Sequence, residues 1–592
     1  MRFGLRGRGR TIAAAACFVA VLGPLLQVRY GYQAGINDHI VLSLQGFQWA
    51  LPGFAVDDWF IASAPQPHVL FDVVTWAGAA TGRIAEFYFA WWLLGIVVAG
   101  IATAVLATAW APGHPVRASA AVAVLIGLGP ELILGSTSPA LPTALPHELG
   151  GFLAYLTAAL LLTRRPRAAA AVLVATAAVH VQIGALSIVV SLLAILVVEI
   201  FEKVRWWSVT VGAVVAGAIV VTILRARPVA AESDDFVEIC REVIPYHCDT
   251  TTWSAATLWA GAAVVVAALL CLAYVVRDGR TTIGLYVATV AVPALGLVLG
   301  VTANRFGIPV AGRLAQSTNI FRLSVLLVPF SAWGLYAGFV RMRRVRSKLV
   351  WLIPAVPAGY GWFVPRTAVT ALPNAPHVAG ALLGLAAAAV LLKTLPESLP
   401  KRFRRFLPTW SGAVAGTATG LAAAGVLAYG VVRMGTVQAR PLDITFVPSG
   451  RHHELGELVA RHVPVGEEIV VPPTLGVIRL LSGRSIFVDC KSVPYGGAAW
   501  REYRDRMGSL GGRGSCSRGG RPFVEVPPER LSSVALSYGA RYLMLGEKDR
   551  RVRTLRADLG WRALATPDDG PTGMWLLAAP GAADAASGAY LP

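Results

Sequence analysis

AAAAVLVATAAVHVQIGALSIVVSLLAILVVEI, residues 168–200, decides the fold. It is a run of 33 residues with almost no charge. As one α-helix it would be about 50 Å long, against a hydrocarbon layer of about 30 Å. Its flanks, RRPR at 164–167 and EKVR at 202–205, are both basic, and short basic loops stay on the cytoplasmic side. The run therefore has to go out and come back. The turn falls near AVHVQIGAL, residues 178–186, which places His180, Gln182 and Gly184 near the outer end of two short helices. Polar groups at such depth face a protein interior or a wet cavity.

The rest of the chain reads in the same way. Of 592 residues, 55% are hydrophobic and 14% charged, where a soluble chain carries roughly 25% charged residues. Mean hydropathy is +0.60. Apolar spans are expected near 11–27, 87–110, 118–135, 150–163, 168–182, 184–200, 207–224, 255–276, 281–301, 322–340, 349–364, 377–392 and 411–433. The start, MRFGLRGRGR followed by TIAAAACFVAVLGPLLQ, has no small-residue cleavage site before Arg29, so it reads as an uncleaved first helix with its N-terminus inside. Thirteen spans then put everything after Arg433 outside. The net charge of +19 sits in short loops such as Arg164 to Arg167, Arg341 to Lys348 and Lys393 to Arg405, as topology signals. That placement argues against a nucleic-acid partner and for membrane lipids.

The fold class is thus a polytopic α-helical membrane protein, N-in and C-out, with an extracytoplasmic α/β domain at its C-terminus. The expected division is 1–433 for the transmembrane part, including a long first outer loop at 28–86, and 434–592 for the outer domain. In the tail, EEIVV, SIFVDC, RYLML and MWLLAA read as strands between helix-like runs such as RHHELGELVARHV, the alternation of an α/β domain. Cys240 and Cys248 share one expected outer loop, and Cys490 and Cys516 share the outer domain. An oxidising compartment permits both pairs to form disulfides, although pairing is not readable from sequence alone.

Candidate functional residues cluster on the expected outer side. Asp38 and His39 lie about ten residues past the first span, at the level of a lipid-borne head group. A held carboxylate is a competent general base toward a sugar hydroxyl; the competing role is an ordinary cap for the helix beginning near Ile40. Asp57 and Asp58 offer a second acid, or a solvated turn after Pro52-Gly53. His68, His147, Glu148, His180 and Gln182 extend this polar set. Arg313 and Arg322 lie in a loop with no acid, TANRFGIPVAGRLAQSTNIFR, and the planar fork of arginine suits a phosphate. In the tail, Arg479, Arg484, Asp489, Lys491 and Trp500 are placed to close over a cavity, or to pack the domain. No HxxxH or CxxC spacing supports a metal centre. No P-loop, no G-x-S-x-G elbow and no N-x-[ST] acceptor occurs.

The layout resembles the GT-C superfamily of integral-membrane glycosyltransferases. The pattern Tyr32-x-x-Gly35-x-Asn37-Asp38-His39, then Asp58-x-Phe60, is similar to a bacterial family of GT-C-like proteins with an extracytoplasmic C-terminal domain. GGFLAYLTAALLLTRRPRAAAAVL (150–173) and RSIFVDCKSVPYGGAAWREYRDRM (484–507) resemble the same family. The resemblance implies a polyprenyl-phosphate sugar donor, a cell-envelope glycan or lipid acceptor, and an acidic first-loop residue as general base. Asp38 matches that base by position and Asp58 second, with His39 beside them. Many members carry an acidic pair where this chain has Asp38-His39. A monophosphate donor needs no cofactor; a diphosphate donor would call for a divalent cation. The localisation implied is a bacterial plasma membrane. A transporter or flippase of lipid-linked sugars would use the same cavity without chemistry, but such proteins carry internal repeats and none is seen. A non-catalytic envelope assembly protein that binds glycolipid is the third class.

Overall fold

The computed structural model describes residues 5–63, 67–127, 129, 132–225, 233–271, 280–344, 442–447, 450–494, 497–516, 521–569 and 573–582. The expected spans at 349–364, 377–392 and 411–433 lie outside these residues. The chain forms two compact units. One comprises Met1–Tyr32, Trp91–Val220 and Ile244–Leu442; the other comprises Gln33–Ala90, Val221–Val243 and Asp443–Pro592. The first long loop therefore folds with the C-terminal tail, and not with the helices that flank it in sequence.

Among the described residues, six helices are long and apolar enough to cross a membrane: Gly9–Gln27, Ile84–Trp110, Val181–Glu202, Trp207–Arg225, Thr281–Arg305 and Ile320–Ala337. They are the helices of a membrane-embedded protein. Other expected spans are shorter helices, such as Pro146–Leu162 with 17 residues, about 26 Å long. The span expected at 118–135 ends early: its helix is Pro115–Gly127. The sequence there runs Gly127-Leu128-Gly129-Pro130, and glycine and proline together stop a helix. A two-residue hairpin follows, β1 (Leu132–Ile133) against β2 (Ser136–Thr137).

The decisive run breaks at His180. One helix is Pro166–Val179 and the next Val181–Glu202. His180 between them is extended, at φ −148° and ψ 104°. The fold-back is sharp: a Cβ built on Gly184 would lie 2.4 Å from the Cα of Ala177. In a continuous helix those positions would stand about 10 Å apart along the axis. Only glycine permits the approach.

The second unit is built on a five-stranded sheet. Its strands are β3 (Glu468–Val470), β4 (Ser485–Ile486), β5 (Tyr542–Gly546), β6 (Arg562–Ala565) and β7 (Met574–Ala578). Their order is β4-β3-β5-β7-β6, with β3 parallel to both β4 and β5, and β7 antiparallel to β5 and β6. Ile469, Ile486, Tyr542, Met544, Leu576 and Ala578 pack with Leu455 and Val459 of the helix Arg451–His462 and with Val463, which follows it. A second core joins the first loop to this domain. Val41, Leu44, Phe47, Phe54 and Phe60 are buried with Val477, Leu480 and Leu481. Fully burying one such side chain stabilises by about 1.5–3 kcal/mol.

Candidate functional site

The expected site residues separate into two sets, one within each unit. In the helical unit, the turn at His180 meets the start of the helix Pro146–Leu162. A Cβ on Gly150 would sit 2.8 Å from the Cβ of His180. His180 is buried, and its Nδ1 accepts from the Ile183 amide at 3.4 Å, capping the following helix. Gln182 Nε2 donates to the Thr318 carbonyl at 3.4 Å, at the end of the helix Pro309–Thr318. Asn319 then takes a left-handed conformation, and a 3₁₀ turn, Ile320–Arg322, leads into the next helix. His147 and Glu148 open the helix Pro146–Leu162. Glu148 accepts from the Thr143 hydroxyl and from the Leu145 amide, which makes it a capping residue. Arg313 is exposed on the helix Pro309–Thr318.

The structure thus brings His147, Glu148, His180, Gln182 and the Arg322 turn to one end of the helical unit. They are two histidines, an amide and a capping carboxylate at the ends of apolar helices, with Arg322 in the turn that follows Thr318.

In the second unit, Asp58 is not an available acid. It is wholly buried. Oδ1 accepts from the amides of Phe60 and Ile61, each at 3.1 Å. Oδ2 accepts from Arg479 Nε at 2.8 Å and from the Ile486 amide at 3.2 Å. Four donors satisfy both oxygens, which leaves none to take a proton from a substrate. Arg479 is equally buried. Its Nη1 donates to Asp489 Oδ2 and to the Ser492 hydroxyl, both at 2.6 Å. Burial alone would lower the Arg479 guanidinium pKa; Asp58 and Asp489 outweigh it and hold it above its ordinary value. This triad holds the first loop to the tail.

Three consecutive tail residues are each tied down, and the third reaches the first loop. Asp489 binds Arg479, Cys490 is bonded to Cys516, and Lys491 Nζ donates to Asp38 at 2.8 Å. The Asp38–Lys491 pair is about half exposed, at 52% and 44%, so it contributes only about 0.2–1 kcal/mol to stability. Asp57, exposed, adopts a left-handed φ of 61°, a conformation that aspartate tolerates in turns. His39 is buried and stacked on Tyr88, with ring centroids 5.0 Å apart. Its Nδ1 lies 3.1 Å from the Ile36 carbonyl. That is a core position, not one that orients reactants. His68, also buried, precedes the helix Val69–Ala80.

Arg484, expected to bind substrate, is buried instead. Its guanidinium donates to the main-chain carbonyls of Val463, Ala460 and Ser482. It thereby caps the C-terminal end of the helix Arg451–His462, where cations oppose the helix dipole. Burial pulls its pKa down. Cys240 and Cys248 are disulfide-bonded; Cys17 and Cys271 are free thiols. Among the described residues, no group of three or more His, Cys, Asp or Glu could hold a metal ion.

One residue of this second set was not singled out in the sequence. Arg506 pairs with Glu468 at 2.8 Å and Glu502 at 2.6 Å. It lies under 5 Å from the ring centroids of Trp59, Phe487 and Tyr538. Its signal was the spacing Glu502 to Arg506, an i,i+4 pair on an amphipathic helix. Burial raises the Glu468 carboxyl pKa, against the pull of Arg506.

A family model described as "Domain of unknown function (DUF6798)" matches residues 452–510. That segment holds Arg479, Arg484, Asp489, Cys490, Lys491 and Arg506. No curated protein matches the chain. Among solved structures, the chain is similar to the Archaeoglobus fulgidus oligosaccharyltransferase, crystallised in complex with Zn and sulfate. The identity is 12%, over 96% of this chain and 72% of that one, with a TM-score of 0.35. A score of that size does not establish a shared fold.

Proposed function

We propose that the chain is a membrane glycosyltransferase that moves a sugar from a polyprenyl-phosphate donor to a cell-envelope acceptor. The observation that carries the reading is Asp38. Asp58 is sealed by Arg479, whereas Asp38 stands at the surface with a lysine 2.8 Å away. A carboxylate at that position can take a proton from an acceptor hydroxyl brought within hydrogen-bond reach. Lys491 fixes its direction. In such a transfer a guanidinium would stabilise the charge that develops as polyprenyl phosphate leaves. Arginine supplies this charge without a metal when the donor is a monophosphate. The α/β unit would lie outside a bacterial plasma membrane, as the positive-inside reading of the loops expects.

The structural use of Asp58, Glu148 and Arg484 favours one alternative, a glycolipid-binding assembly protein without chemistry. The test is transfer of radiolabelled sugar from a panel of polyprenyl-phosphate sugars by reconstituted protein, run beside Asp38→Asn. Transfer from one donor that falls at least a hundredfold in the variant supports the base assignment. Full transfer by Asp38→Asn removes Asp38 as base. Binding of donor without turnover in either protein favours the assembly protein.

A further inference from the structure

The second unit holds a cavity of about 500 Å³ lined by none of the candidate site residues above. That volume lies within the ~300–1,000 Å³ of small-molecule sites. Its position follows from the topology. From β3 the chain passes to β4 on one side, then to β5 on the other. Strand order reverses between β3 and β5. Ligands of open α/β sheets bind outside the carboxyl ends of the strands at such a reversal. The cavity is there: Pro472 to Leu475 follow β3, and Gly546, Lys548 and Asp549 follow β5.

Floor and rim differ in chemistry. Leu455, Pro473, Phe523 and Met574 are buried and apolar. Arg451, His452, Thr474 and Lys548 are exposed at the rim. The acid of the lining, Asp549, is already neutralised: Arg551 donates to its two oxygens at 2.9 and 2.6 Å. Arg451 and Lys548 bring two cations to the rim, with the Glu547 carboxylate near Arg451 at Gly573. The loop after β3 reads Val471-Pro472-Pro473-Thr474. Two successive prolines have no N–H to offer, so the loop after β3 lacks the run of amides with which nucleotide-binding loops cradle a diphosphate. One anionic group would be held by side chains. The rest of the ligand would lie on proline and phenylalanine, as the C–H face of a sugar ring does.

We infer that this cavity binds a saccharide unit carrying a carboxylate or a phosphate, with Arg451 and Lys548 on the anion and Phe523 under the ring. The inference stands whether or not the chain transfers sugars, since it rests on a different part of the molecule. The experiment is calorimetric titration of the full-length protein in lipid nanodiscs with glucuronic acid, glucose 1-phosphate, glucose and inorganic phosphate. One of the two anionic sugars is expected to bind at least tenfold more tightly than glucose, and which one names the anion. The double variant Arg451→Ala/Lys548→Ala is expected to weaken it at least tenfold, as loss of charge-assisted bonds does. Thr474→Trp, a change at an exposed rim position, is expected to block binding with an unchanged melting temperature. The inference is overturned if neither anionic sugar binds at millimolar concentration, or if both variants bind as the parent does. It is also overturned if inorganic phosphate binds as tightly as glucose 1-phosphate, which would mark a bare anion site.

Discussion

Replacing Arg479 with alanine tests the reading of the buried triad. The side chain is fully enclosed and pairs with Asp58 at 2.8 Å and Asp489 at 2.6 Å. Removing one partner of a buried pair costs about 3–5 kcal/mol, because the other charge stays behind. Here one deletion orphans two carboxylates. Each keeps its main-chain donors, Phe60, Ile61 and Ile486 for Asp58, and Lys491 and Ser492 for Asp489. The loss therefore stays near the upper end, about 5 kcal/mol. In a folding unit of this size each kcal/mol moves the midpoint by about 2–4 °C, which gives a fall of about 10–20 °C. Trp59, Trp500, Trp561 and Trp575 lie in the same unit, so their fluorescence during heating of the reconstituted protein reports it. Asp58→Asn puts an amide donor among four donors and is expected to destabilise in the same direction. A catalytic Asp58 would instead give a folded, inactive protein. Melting of Arg479→Ala within about 3 °C of the parent, under 2 kcal/mol of change, would refute the reasoning.

Other consequences can be checked alongside. The Cys490–Cys516 bond closes a loop with a sequence separation of 26, and its removal by double serine substitution is expected to cost about 3–4 kcal/mol, read as a lower denaturation midpoint that reductant shifts less than it shifts the parent's. Glu468, whose pKa burial raises, binds its proton more tightly when folded. Its contribution to stability is therefore present below the unfolded value of about 4.3 and is lost as pH rises through the folded one. Glu468→Gln should gain melting temperature relative to the parent as pH rises from about 4 to 8, and a difference that stays flat or falls with pH counts against this. Gly184→Val would drive methyl groups into Ala177, and an overpacking penalty of about 1–3 kcal/mol should appear as lowered thermal stability of the helical unit.

Elements set by local rules were readable in the sequence. The break at His180 was legible because length and two basic flanks leave a 33-residue run no other solution. The strands β3, β5 and β7 fall on the apolar runs EEIVV, RYLML and MWLLAA. The helix expected to reach residue 135 stops at Gly127 because its apolar content hid a Gly-x-Gly-Pro stop. What was not legible was partnership. Asp58 looked like a surface acid because its neighbours Asp57 and Trp59 suit a turn; its counter-charge lies 421 positions away. Arg484 looked like a ligand for substrate because nothing in Ser482-Gly483-Arg484 reveals that three carbonyls await it. An arginine inside an apolar stretch such as TLGVIRLLSGRSIF is better read as a paired core residue, since an unpaired buried charge is too costly to keep. Asp38 and Asp58 looked alike as candidate acids, and only the fold shows one exposed and the other buried.

The assembly of the second unit from three separated stretches of chain has a consequence in time. When Asp58 leaves the ribosome, Arg479 is 421 residues from being made. At about 5–20 residues per second, that is a wait of about 20–80 s. The aromatic surface of the first loop, Phe47, Phe54 and Phe60, has no lid until the tail arrives. Folding of this unit is thus a closing event that follows synthesis of nearly the whole chain. A chain arrested anywhere before residue 479 carries an exposed apolar segment and an unmatched acid, the marks by which quality-control proteases select their clients.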